Sequence, residues 1–223
     1  MKDLTLAIVW KDLKREFSTK ETLVTMLMFI LLVIFGFRFA FEGETFGPEL
    51  MASIIWGVFL FVGLFALFNS FAKEKDTRCL EGLLLCPGDR GAIYLGKMIS
   101  VMIQIYMIEL VGVGMMEVFF EFEISVNWPS LLLILFLGTA ALVAAGTIIS
   151  AISVGAGRRE MVLPVLFIPL VLLTVIVPAV SLTSGILAGG SLSAYSEYLN
   201  VLVGFSVIYV ALGLMFFDEV MVR

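Results

Sequence analysis

The sequence predicts an all-α integral membrane protein: six transmembrane helices, an amphipathic interfacial helix ahead of the first, and both termini in the cytoplasm. Three observations carry this. The 223 residues are 61% hydrophobic with a mean hydropathy of +1.11, well outside the range of soluble domains. Six apolar runs, 23–41, 50–72, 98–120, 131–154, 161–182 and 199–217, each approach the ~20 residues that cross a ~30 Å hydrocarbon layer. Of 14 Lys and Arg residues, all but Arg38 then fall on one side of the map, and the positive-inside bias makes that side the cytoplasm. Residues 1–223 read as a single transmembrane domain, with no room for a separate soluble catalytic domain.

Residues 1–21 open the chain as an amphipathic helix. Leu6, Trp10, Leu13 and Phe17 recur at helical spacing on one face, and Lys11, Asp12, Lys14 and Arg15 point elsewhere. Such a helix lies in the membrane interface, either as a plain extension of span one or as a lateral helix coupled to a cytoplasmic machine. The first apolar run is long enough to span, and no small-residue cleavage site follows it, so no signal peptide is expected.

Gly43, Gly47 and Pro48 mark the first outer turn, and Asn127, Trp128 and Pro129 the second. Trp128, Tyr195 and Tyr198 suit an interfacial aromatic belt. Span four carries a small-residue stripe of Gly138, Gly146 and Ser150 with Ala141 and Ala145 beside it. It predicts close helix packing, within the chain or across a dimer. Gly155, Gly157, Arg158 and Arg159 form a basic inner turn. Span five contains Pro164, Pro169 and Pro178, each able to kink a helix. Residues 180–198 then read as a re-entrant or outer-leaflet stretch, or as a plain outer loop.

Several chemistries are excluded. The chain has no histidine, which removes His-dependent triads, His zinc sites and His-ligated haem. It has no Walker A loop and no Gly-x-Ser-x-Gly elbow, so it is not expected to be an enzyme. Cys79 and Cys86 are expected to be free thiols. The 12 Met residues are scattered through the spans and read as packing groups. The outer loops are acidic, which argues against a nucleic-acid partner. No metal or cofactor bound by this chain is expected, and its surroundings are membrane lipid.

Two places carry functional readings. Glu109 lies about eleven residues inside span three, near mid-bilayer. It is read either as a proton-relay residue or as an acid hydrogen-bonded to a neighbouring helix through Gln104, Thr139 or Thr147. The inner loop 73–97 is the other. Leu80, Leu83 and Leu84 fall at i, i+3 and i+4 in the stretch from Arg78, with Glu81 among them, and Pro87 stops the run. A short helix with an apolar face either lies on the membrane or seats in a groove on a partner.

The segment 54–97, with Ile54-Ile55-Trp56, Phe71-Ala72-Lys73-Glu74-Lys75-Asp76, Leu80-Glu81-Gly82-Leu83-Leu84-Leu85-Cys86-Pro87 and Ala92-Ile93-Tyr94-Leu95-Gly96-Lys97, resembles the CcmB family. Members are membrane subunits of the ABC complex of cytochrome c maturation. The likeness extends over the whole chain, to the six spans, the amphipathic start and the Pro-containing fifth span. The family's Leu-Pro pair at the loop-helix end reads Cys86-Pro87 here. The resemblance implies an ABC exporter membrane-subunit architecture in the bacterial inner membrane. It implies a CcmA-type ATPase that holds the ATP, CcmC- and CcmD-type membrane proteins, the haem chaperone CcmE as an indirect partner, and a homodimer within the complex. Haem would be carried by partner proteins. Arg78, Leu80, Glu81, Leu83, Leu84 and Pro87 would then be the ATPase-coupling residues. The function implied is coupling of ATP hydrolysis to haem export or to release of the haem-loaded chaperone. A different class of function, a stand-alone proton-coupled carrier, would use Glu109.

Overall fold

A computed structural model describes residues 2–41, 46–76, 90–120, 127–155 and 159–222. Among these the architecture is helical. Helix α1 (Lys2–Thr19) precedes α2 (Glu21–Ala40), α3 (Pro48–Asp76), α4 (Arg90–Phe120) and α5 (Trp128–Gly155). Helix α6 (Arg159–Val171) runs through a π-helical turn (Leu172–Ile176) into α7 (Val177–Leu187), and a 3-10 turn (Leu192–Tyr195) leads to α8 (Ser196–Val222). Six stretches are long and apolar enough to cross a membrane: Glu21–Ala40, Pro48–Ser70, Gly91–Phe120, Trp128–Ser153, Leu163–Leu187 and Leu192–Phe217.

Helix α5 is the hub, packing against α3, α4, α6, α7 and α8. Its small residues explain how. Trp56 of α3 is fully buried, and its ring occupies the space a Cβ at Gly138 would need. The indole Nε1 donates to Thr183 Oγ1 of α7 at 2.8 Å, so one side chain ties three helices. A Cβ at Gly146 would overlap Leu67, and Ser150 Oγ donates to the Leu67 carbonyl at 3.0 Å. Ala141 and Ala145 are buried as well. The stripe is therefore spent on packing inside the chain. Tyr94 of α4 enters beside Gly213 of α8, where any Cβ would strike its ring, and its hydroxyl donates to the Ala144 carbonyl at 3.2 Å.

Helix α2 is the opposite case. Thr22, Met26, Ile30 and Ile34 are buried at four-residue spacing, while Val24, Met28, Leu32, Phe35 and Phe39 are exposed. An apolar outer stripe of this length suits a helix at the edge of a bundle in hydrocarbon.

The structure adjusts two boundaries. Helix α3 continues through Asp76 and α4 starts at Arg90. Residues 90–97, read from sequence as loop, are helical, because the lysine that ended the apolar run is itself buried and paired. The fifth apolar stretch also passes its prolines without breaking. Pro164 and Pro169 sit inside α6, and the wider π turn follows them. The helix reaches Leu187, so residues 180–187 are its last turns. The chain reverses at Gly189, whose φ of 82° suits glycine, and Tyr195 packs where side chains at Gly185 and Gly190 would stand.

Helix α1 has three faces. Leu6 and Trp10 are 65% and 71% exposed and Phe17 is exposed beside them, so the apolar stripe faces away from the bundle. Lys11 and Lys14 occupy a second exposed face. The third face, Ile8, Val9, Asp12 and Glu16, is buried, chiefly against α4. A side chain at Gly96 would collide with Ile8, which shows how closely the two helices approach.

Candidate functional site at the junction of α1, α3 and α4

Arg78, Leu80, Glu81, Leu83, Leu84 and Pro87 lie outside the described residues. What is described is the pair of helix ends from which segment 77–89 departs and to which it returns. Those two helices are joined about two turns in from these ends. Lys97, two turns into α4, is fully buried, and its Nζ donates to the Ser70 carbonyl of α3 at 3.3 Å. The same Nζ stands 2.8 Å from Asp12 Oδ2 of α1. Ser100 Oγ donates to the Lys97 carbonyl at 2.9 Å and lies 3.4 Å from Asp12 Oδ2. Three helices meet at one ammonium group.

Asp12 is 3% exposed, and desolvation alone would push its carboxyl up. The Lys97 charge and hydrogen bond, with smaller help from Lys11 and Arg15, outweigh burial and hold it below its ordinary value of 3.8. Lys11 Nζ approaches Asp12 Oδ1 at 3.3 Å and Arg15 Nη2 at 3.9 Å. A water-sized polar cavity of about 10 Å³ opens beside the pair. It is lined by Asp12, Arg15, Glu16, Asn69, Ser70 and Gln104, among others.

The polar chain continues into the first span. Glu16 Oε1 accepts from the backbone N–H groups of Thr22 and Leu23 at 2.8 and 3.2 Å, and Glu16 Oε2 from Thr22 Oγ1 at 3.0 Å. A carboxylate from one helix thus caps the N-terminus of the next, where the free N–H groups and the helix dipole favour negative charge. Only Lys20 separates the two helices, in a left-handed conformation with φ 57°.

Glu109 sits elsewhere on α4 and is fully buried. Thr139 Oγ1 of α5 donates to its Oε2 at 2.6 Å, and its Oε1 has no hydrogen bond among the described residues. Of the three partners considered from sequence, Thr139 makes the contact. Thr147 donates to the Val143 carbonyl, and Gln104 lines the polar cavity. Among the described residues no three His, Cys, Asp or Glu side chains gather as metal ligands. A second, predominantly apolar groove of about 440 Å³ lies between α5, α6 and α8, bordered by Leu170, Tyr209, Leu212 and Phe216. The Tyr209 hydroxyl there is paired with Thr174 Oγ1 at 2.8 Å.

Sequence reasoning missed Asp12 and Lys97. One signal was present: Ile8, Asp12 and Glu16 share a helix face at four-residue spacing, and an apolar residue in line with two acids points to a face that is partly buried.

The CcmB protein family matches this chain over residues 3–220. No curated protein matches it. With that coverage the chain belongs to the CcmB family, the haem exporter B family. It is a multi-pass membrane component of the haem-export ABC system of cytochrome c maturation, a system whose components include the ATPase CcmA.

Proposed function

We propose that this chain carries the work of ATP hydrolysis from a separate CcmA-type ATPase across the membrane without doing chemistry itself. The Arg78–Pro87 stretch would seat in the ATPase through Leu80, Leu83 and Leu84. Opening and closing of the ATPase would move that stretch, and the spans would deliver the motion to the periplasmic face. There it would drive haem export or release of the haem-loaded chaperone CcmE, together with CcmC- and CcmD-type proteins. Two copies of the chain, with N- and C-termini in the cytoplasm of a bacterial cell, would pair with two ATPase subunits.

The observation that carries this reading is the junction at Lys97. The two helices from which segment 77–89 hangs are tied to each other and to α1 by buried polar contacts, so a pull on that segment would meet a joined structure. The carrier alternative rests on Glu109, which lines neither the polar cavity nor the apolar groove.

Co-expression with the neighbouring ATPase, followed by detergent pull-down and an ATPase assay, tests the reading. Wild-type chain should co-purify with activity. Leu84→Asp should insert normally yet lose the ATPase, because an ionised side chain cannot enter an apolar groove unpaired. Retained association would sink the assignment. Transport by the isolated chain, abolished by Glu109→Gln, would replace it with the carrier.

A further inference from the structure

We propose that the Asp12–Lys97 ion pair is a transmission junction: it passes movement of segment 77–89 to α1 and, through Glu16, to the start of the first span. The proposal rests on the coupling reading above and adds the residues that would carry the motion onward.

Three observations support it. First, Lys97 ties together the two helices that flank the segment, about two turns in from each end. It belongs to the second turn of α4, and its Nζ bonds to Ser70 of α3, 27 residues earlier in the chain. Second, its other contact, Asp12, lies on a helix outside the six candidate spans. That helix presents Leu6 and Trp10 outward and touches the bundle through a narrow buried face. Third, Glu16, one turn beyond Asp12 on that face, holds the first two free N–H groups of α2 that it reaches. Helices α3 and α4, the ion pair, α1 and the first span therefore form one series of contacts.

Stability alone does not require charge here. A buried ion pair is often matched or bettered by apolar side chains of similar volume, because taking two charges out of water costs about as much as their attraction returns. What the pair adds is direction. An ammonium carried by α4 and held by both the Asp12 carboxylate and the Ser70 carbonyl fixes the direction of the contact between the three helices.

The test uses the full complex with its ATPase. Asp12→Leu combined with Lys97→Met replaces the pair by apolar groups. The expected result is a complex that assembles, melts near the wild-type temperature and hydrolyses ATP, yet matures cytochrome c about tenfold less well, the size of effect typical of a lost coupling contact. Lys97→Arg, which keeps a buried cation, should retain most maturation. Asp12→Asn guards against a double variant that fails to assemble: it keeps the shape and an acceptor, and should lose maturation severalfold without loss of ATP hydrolysis. Wild-type maturation in either the assembled double variant or the Asp12→Asn complex would overturn the proposal and leave the pair a packing device. Failure of the wild-type chain to bind the ATPase would instead remove the coupling reading, so the two failures are told apart by the unmutated control.

Discussion

Two buried carboxylates touch the same helix and are treated in opposite ways. Asp12 meets a lysine at 2.8 Å, with a serine and two further cations close by. Glu109 meets one threonine hydroxyl. Asp12 lies at the end of the bundle where the chain's cations gather, so its charge has been matched by charge. Glu109 lies along the span, where the chain offers no described cation beside it, and a single helix-to-helix hydrogen bond serves instead. The same functional group thus anchors a peripheral helix in one place and joins two central helices in the other.

The largest effect should come from breaking the matched site. Lys97→Met leaves Asp12 buried without its main partner, and should cost about 3 kcal/mol, at the low end for a broken buried pair because Lys11 and Arg15 remain near. A detergent melt of the purified chain reads this, and a change under about 1 kcal/mol would mean that the site is wetter than its burial indicates.

Acid should act on the same site. The folded carboxyl of Asp12 is held below 3.8, so the folded state binds fewer protons than the unfolded one near that pH. Its stabilising contribution is fully present above 3.8 and is lost as pH falls through the lowered value. Protease access to α1 should rise over that window, and Asp12→Asn should flatten the response. An unchanged profile in that variant would assign the acid sensitivity to other groups.

Smaller changes are expected at Glu109. Glu109→Leu removes one hydrogen bond and fills a similar volume, for a loss of about 1 kcal/mol. Glu109→Gln keeps an acceptor for Thr139 and should shift the melt by less than about 0.5 kcal/mol. If Glu109→Gln destabilised the chain as much as Lys97→Met, the comparison would fail, and Glu109 would have to carry a matched charge of its own.

The six spans were legible because hydropathy over some twenty residues is a strong, local signal. Glu109 was legible as a buried acid by position alone, and Thr139 was among its candidate partners. The choice left open at the Gly138–Ser150 stripe needed coordinates, since only they show the Trp56 ring and Leu67 filling those notches. Asp12 and Lys97 were hidden for a physical reason. They are 85 residues apart, and each, alone, reads as a solvated charge. For the same reason Lys97 reads from sequence as the end of a loop, whereas its pairing lets α4 begin at Arg90. Arg78 to Pro87, which carried the sharpest sequence reading, lie outside the described residues.

Lys20 holds φ at 57°, a conformation that costs a side-chain-bearing residue about 1–2 kcal/mol. Glycine there would relieve that strain but would also free the unfolded chain, by about 0.4–1 kcal/mol. The relief is the larger of the two, so Lys20→Gly should melt at or slightly above wild type, by about 0.5–1 kcal/mol. What would change is the angular freedom of the elbow between α1 and α2. At this one position compliance is separable from stability, and the hinge can be softened with little effect on the fold.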